Sequence, residues 1–296
     1  MATLHDQPTQ PLKVTLAQMF CRWGDIPGNL RKIEEFAVRA AEHKADWILF
    51  PELTIQGIFK SPDVFRLSET VDGPSVGHVC RLARQLALGI GVGLSERGSE
   101  KPLNAYILME PSGEVAGVYR KNRIPKLEAP FWQGHDQRPV LSLCGHRVGV
   151  SICWDNTYPE IPAGYARGGA RIVIMPHAWD SDALDEQGRV IDYNSMEEIV
   201  EYHERTGRRI WKTYEQMWSE FDPRIPNLAR ENRIWALFIN QAGQPHPSLK
   251  FVGPTFAAAP DGRIVAQTID ETEQLVTVDI RETLSVTLKR RASSGK

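Results

Sequence analysis

The 296-residue chain is 42% hydrophobic and 24% charged, with a net charge of −2 and a pI near 6.5. A chain of this size and make-up buries its core without disulfide or metal staples, and its near-balanced charge gives no electrostatic case for nucleic acid or an acidic membrane surface. Four scattered cysteines, Cys21, Cys80, Cys144 and Cys153, form no CxxC pair, which argues against zinc and a disulfide framework and fits a reducing cytosol.

The opening "MATLHDQPTQPLK" is polar and lacks the apolar stretch of a secretory signal. No apolar run reaches the roughly 18 residues that span a bilayer, so a cytoplasmic chain is expected. "KVTLAQMF" (13–20) then reads as a strand, and "GNLRKIEEFAVRAAEHKA" (28–45) sets Leu30, Ile33, Ala37, Ala40 and Ala41 at helical spacing. "DWILFPE" (46–52) is a short buried strand stopped by Pro51, and "SVGHVCRLARQLAL" (75–88) is a helix that leads into the strand "GIGVGLSE". Two hairpins follow, one turning at Pro111, Ser112 and Gly113, the other around Gly145. "RIVIMPHA", "IWALFINQA", "FVGPTFAAAPDGRIVAQ" and "QLVTVDI" complete the strands. Hairpins mixed with strand–helix–strand units imply mixed sheets with helices outside.

Residues 180–226 interrupt the rhythm. The run from Asp180 to Asn194 is polar, after which Ile210, Trp211, Tyr214, Met217, Trp218 and Phe221 fall on one helical stripe. Such a stripe usually packs into a core, the alternatives being a lid or a subunit contact. Pro223 and Pro226 are expected to end the helix. With no repeat, low-complexity block or linker, 1–296 reads as one domain with polar tails at 1–11 and 288–296.

Three residues carry candidate chemistry. Cys153 ends an apolar strand in "VGVSICWDNTYPE" (148–160). A buried thiol is usually inert, but at a strand end the N–H groups of Trp154 and Asp155 could face a reacting oxygen. Glu52 in "LFPELTIQG" follows a strand directly, where a carboxylate pressed on apolar residues suits a base, although most such carboxylates are surface groups or caps. Lys121 in "VYRKNRIPKLE" closes a hairpin strand. It is either a solvated strand end beside Arg120, Arg123 and Lys126, or an inward cation for a thiolate and an oxyanion. Glu128 follows in a Pro-containing loop.

Taken together and in this order, "FPE", "YRK" with a downstream Glu, and "ICWDNTYPE" resemble the nitrilase superfamily, the carbon–nitrogen hydrolases. The resemblance runs from "KVTLAQM" through "ENRIWALFINQAG" to "GPTFAAAPDGRIVAQ". It implies a Glu52–Lys121–Cys153 triad supported by Glu128. It also implies an α/β fold, a four-layer α-β-β-α sandwich of two mixed sheets, that forms a homodimer or larger homo-oligomer without cofactor or metal. Arg123 stands where many relatives carry His, and 180–226 is longer than in simpler members.

The activity so implied is hydrolysis of a small-molecule amide, carbamoyl group or nitrile through a Cys153 thioester. "CWD" followed by "YPE" is more similar to amidases and carbamoylases than to nitrilases, and Arg123 or Arg167 could hold a substrate carboxylate. Trp154, Asn156, Tyr158, His177 and Trp179 are candidate pocket walls, with His177 equally readable as a satisfied loop histidine. A silent binding subunit and a redox-sensing Cys153, with Cys144 on the same hairpin, are the rival readings.

Overall fold

The computed structural model describes residues 11–58, 60–181, 183–184, 201, 205–206, 210–221, 223–246 and 249–281. Most of the polar run after Asp180, and nearly all of the two expected tails, lie outside these residues. The main strands are β1 (Leu12–Gln18), β2 (Trp47–Leu49), β3 (Gly89–Glu96), β4 (Leu103–Met109), β5 (Val115–Arg120), β6 (Leu141–Leu143), β7 (His146–Val150), β8 (Ile172–Pro176), β9 (Trp235–Ile239), β10 (Phe256–Ala258), β11 (Ile264–Gln267) and β12 (Gln274–Ile280). They form two six-stranded sheets, ordered β12-β1-β2-β3-β4-β5 and β11-β10-β9-β8-β7-β6.

Each sheet is mixed for the same reason. β1, β2 and β3 run parallel, as do β7, β8 and β9, while hairpins and returning strands add antiparallel neighbours. Parallel neighbours need a crossover, and helices supply it. These are α1 (Ile26–Glu42), α2 (Pro74–Leu86), α3 (Glu160–Arg167), α4 (Tyr214–Phe221) and α5 (Arg224–Asn232). The helices flank the paired sheets, giving the α-β-β-α layering.

Side-chain alternation assigns the faces. Trp47, Leu49, Tyr106 and Leu108 belong to one cluster with Val148, Val150, Ile172 and Ile174 of the second sheet. The intervening Ile48, Ile107 and Met109 pack on the other face, against Ile33, Phe36, Val79 and Leu82 of α1 and α2. Asp25 caps α1 by accepting from the Gly28 N–H at 3.0 Å. Gly149 faces α3, where a Cβ would fall 2.4 Å from the Tyr165 ring, so glycine lets that helix close on β7. No described helix is long and apolar enough to cross a membrane.

Two sequence expectations in 180–226 need correction. The helix begins at Tyr214, and Ile210–Trp211 instead pair with Ala183–Leu184 as a short antiparallel strand. Thr213 sets the boundary, because its hydroxyl accepts from the Gln216 N–H (3.3 Å) while Gln216 Oε1 accepts from the Thr213 N–H (2.8 Å). This reciprocal cap starts a helix at one point regardless of aromatic spacing upstream. Pro226 does not end a helix either. It lies in the first turn of α5, where the N–H it lacks would have had no intrahelical partner. The expected core role holds for Met217 and Phe221, both buried.

Candidate active site

The candidate residues come from three chain turns at one end of the paired sheets. Glu52 lies in the turn after β2, where Leu53 takes φ +51°. Its N–H donates to the His177 carbonyl at 3.3 Å and its own carbonyl accepts from Gln241 Nε2 at 2.9 Å. Gly93 on β3 lets this turn sit down, since a Cβ there would lie 2.1 Å from the Leu53 nitrogen. Lys121 extends β5, with its N–H donating to the Asn104 carbonyl at 2.8 Å. Glu128 is held in a turn in which Trp132 N–H donates to its carbonyl at 3.0 Å.

Three charges are thereby sealed together. Lys121 Nζ donates to Glu52 Oε1 at 2.7 Å and to Glu128 Oε2 at 2.9 Å, with Lys121 0%, Glu52 1% and Glu128 6% exposed. The Glu52 carboxylate has two further donors besides Lys121. Asn104 Nδ2 donates to its Oε1 at 2.6 Å and the Ala178 N–H to its Oε2 at 2.7 Å. Buried charges persist only when paired and hydrogen-bonded in this manner. Burial opposes the Lys121 charge, but Glu128, Glu52 and Cys153 outweigh it and hold the ammonium well above its ordinary pKa.

Cys153 completes the group. It follows β7 with φ +47°, a left-handed backbone rare for a residue with a Cβ, and opens the 3₁₀ turn Cys153–Thr157. Its thiol feels Glu52, Lys121 and Glu128 together. Burial and then Glu52 push the thiol pKa well above its usual value, with Lys121 pulling the other way. The resting sulfur is therefore a thiol beside a carboxylate able to take its proton and a cation able to stabilise the anion. The Asp155 N–H, expected to face a reacting oxygen, donates instead to the Ile152 carbonyl at 3.0 Å. That leaves the Trp154 N–H as the backbone candidate for an oxyanion.

Sequence reading passed over Asp155 as a site residue. Its Oδ1 accepts from the Asn122 and Arg123 N–H groups at 3.1 and 2.7 Å, and its Oδ2 from the Ile152 N–H and the Tyr119 hydroxyl at 3.1 and 2.8 Å. One buried carboxylate thus ties the residues around Lys121 to the turn that carries Cys153, across the two sheets. Burial raises it to about 6, against the pull of those donors. Asn104, Gln241 and the Ala178 N–H escaped notice as well, being distant from Glu52 in sequence.

The proposed pocket walls divide. Trp154 is 37% exposed and its ring lies 6.1 Å from that of Trp179, which meets Phe221 edge-on at 5.1 Å. Trp154, Thr157, Trp179, Glu220, Phe221 and Arg224 line a cavity of about 440 Å³. Asn156 is buried and braces the turn, Nδ2 donating to the Ser151 carbonyl at 2.9 Å and lying 3.0 Å from His177 Nε2. The His177 ring packs tilted against Phe238 at 3.9 Å, and burial, Lys121 and Arg224 depress its pKa well below the usual value, so it is neutral. Tyr158 is not among the residues lining this cavity and carries the Arg123 guanidinium 4.9 Å over its ring. Arg167 ends α3 and is exposed. Among the described residues no group of three or more His, Cys, Asp or Glu could hold a metal ion.

The family model for carbon–nitrogen hydrolases matches residues 13–288, nearly the whole chain, so it takes in all three turns. The chain belongs to this family. This carbon–nitrogen hydrolase is 26% identical to an (R)-stereoselective amidase from a Pseudomonas species, covering 91% of its own length and 85% of the relative's. It is 25% identical to the N-carbamoylputrescine amidase of Arabidopsis thaliana, covering 85% and 81%. Among solved structures, a variant of the amidase from Nesterenkonia sp. AN1 superposes with a TM-score of 0.72 at 25% identity, covering 91% and 93% of the two chains. That crystal structure shows acrylamide added at its active-site cysteine. The hydrolase described here is accordingly an enzyme acting on non-peptide carbon–nitrogen bonds, with the two mixed sheets of its structural relatives.

Proposed function

We propose that the enzyme hydrolyses a small-molecule amide to a carboxylic acid and ammonia through a thioester on Cys153. The observation that carries this reading is the position of Glu52, paired at 2.7 Å with the buried Lys121 ammonium and acting on the Cys153 thiol from the facing sheet. A raised thiol pKa requires that the proton leave as attack occurs, and Glu52 is the group placed to take it.

The sequence of steps follows from the geometry. Glu52 removes the thiol proton and the sulfur attacks the carbonyl carbon. The carbonyl π electrons move to oxygen, where Lys121 Nζ and the Trp154 N–H stabilise the negative charge. Glu52 returns its proton to the amide nitrogen, the C–N bond breaks, and ammonia departs. Water, deprotonated by Glu52, then attacks the thioester, the C–S bond breaks, and the sulfur regains a proton. Glu128 and Asn104 hold Lys121 and Glu52 in register throughout, while Asp155 keeps both in place relative to Cys153.

Ammonia release from a panel of amides, N-carbamoyl compounds and nitriles tests the proposal, with wild type and Cys153→Ala side by side. Cys153-dependent ammonia from amides supports it. Carbon dioxide released together with ammonia shifts the reading to a carbamoylase, the activity named for the Arabidopsis relative. Turnover that survives in Cys153→Ala refutes the thioester.

A further inference from the structure

The cavity lined by Trp154, the residue after Cys153, has one polar side chain without a partner among the described residues. Its walls are the rings of Trp154, Trp179 and Phe221, and its polar members are Thr157, Glu220 and Arg224. The Thr157 hydroxyl donates to the Trp154 carbonyl at 2.8 Å, and the Glu220 carboxylate is paired with Lys212. Arg224 has no hydrogen bond or ion pair among the described residues and stands exposed at the start of α5. Its planar fork matches a carboxylate with two parallel hydrogen bonds.

Position argues that this cation faces substrate. Trp154 directly follows the nucleophile in the chain, and Trp179 stands one residue beyond the Ala178 N–H that binds Glu52. His177, stacked beneath Trp179 at 6.0 Å, has its charge disfavoured by burial and by both Lys121 and Arg224. The sealed Glu52–Lys121–Glu128 group carries two negative charges and one positive, which disfavours an anion close to the reacting carbon. An anion is tolerated only at the far end of the substrate. Because the leaving group in the proposed reaction is ammonia, everything else in the substrate is acyl group.

We propose that this cavity is the acyl subsite, and that it takes a flat apolar acyl body between Trp154, Trp179 and Phe221 with a distal carboxylate on Arg224. Aromatic walls in edge and tilted arrangements hold a flat body well, and about 440 Å³ is within the usual range for a small ligand. The chemistry rests on the amide-hydrolysis reading, but occupancy of the subsite does not require turnover.

The experiment compares benzamide with 4-carbamoylbenzoate, its para-carboxylate counterpart, in wild type and Arg224→Gln. The carboxylate is expected to raise kcat/KM about tenfold, through KM, as an arginine–carboxylate hydrogen bond would. Arg224→Gln should erase that preference, bringing 4-carbamoylbenzoate down to the kcat/KM of benzamide measured in the same variant. No preference in wild type, or one that persists in Arg224→Gln, overturns the subsite while benzamide turnover keeps the hydrolysis reading. If neither amide is cleaved, tryptophan fluorescence in Cys153→Ala decides. Tighter binding of 4-carbamoylbenzoate than benzamide, lost on adding Arg224→Gln, upholds the subsite independently of the reaction. Equal binding discards the subsite.

Discussion

Cys144 and Cys153 bracket the same strand, β7, and both adopt a left-handed backbone, with φ of +51° and +47°. Cys144 sits in the hairpin turn facing solvent, its N–H bound at 3.0 Å to each Glu110 carboxylate oxygen. Burial, then Glu110 and Asp46, push its thiol up to about 12. Cys153 is also pushed up, yet Glu52 and Lys121 reach it from the other sheet. Local backbone therefore does not separate the two thiols. Each thiol has a carboxylate beside it, Glu110 or Glu52, and what separates them is the buried Lys121 ammonium paired with Glu52, which only the packing of two sheets can bring. The cysteines lie beyond opposite ends of β7, whose five residues alone rise roughly 13 Å, too far for a disulfide without rearrangement. That distance weighs against a redox pair.

The sharpest way to break this contrast is to exchange the fates of the two thiols. Cys153→Ala should lower kcat/KM by about 10⁴-fold or more, whereas Cys144→Ser should leave it within about twofold, both read by ammonia release. Next comes the cation. Lys121→Met strands Glu52 and Glu128 side by side without their partner and should cost about 3–5 kcal/mol of stability in urea unfolding, along with turnover. A stability loss below about 1 kcal/mol would mean that the two carboxylates find another arrangement.

A third measurement concerns Asp155. Its four neighbours are all donors, so Asn in its place turns an amide N–H₂ on at least one of them. Asp155→Asn should reduce kcat about 10²-fold with little change in KM, the mark of misplaced rather than missing groups. In the wild type, protonation of Asp155 as pH falls through about 6 removes an acceptor, so activity should decline there. Stability moves oppositely. A carboxyl raised by burial favours the folded state on the acid side, and this contribution is lost as pH rises from about 4 to about 6. Activity and stability profiles that fell together below pH 6 would contradict this assignment. The smallest effect belongs to the cavity wall. Thr213→Ala removes the α4 cap and should cost about 1 kcal/mol without altering kcat.

Much of the architecture was legible from alternation alone, because Trp47/Ile48/Leu49 and Tyr106/Ile107/Leu108 send successive side chains to opposite clusters. The motif residues Glu52, Lys121, Glu128 and Cys153 announced themselves by family pattern, and the structure brings all four together. Their supports did not. Gln241 is 189 residues from Glu52, and the Ala178 N–H is 126 residues away. No local signal marks a backbone amide as a ligand. Asp155 was visible in the motif but reads as turn residue until Tyr119, Asn122 and Arg123 are seen folding onto it. The helices over 160–167 and 224–232 were missed because prolines in their first turns mimic loop punctuation.

The burial of Lys121 between two carboxylates also sets how the enzyme meets its surroundings. Arg120, its neighbour in the chain, makes a two-pronged pair with Glu96 at 2.6 Å that solvent ions can reach. Mobile ions screen such rim pairs over about 8–10 Å of water, but no water shell surrounds Lys121. In the proposed cycle the proton passes from sulfur to Glu52 and on to the departing nitrogen, so the net charge of the sealed group never changes during acylation. Chemistry arranged this way draws neither protons nor counterions from the medium. Its rate should stay flat across a wide range of salt and buffer concentration while the outer ion pairs weaken.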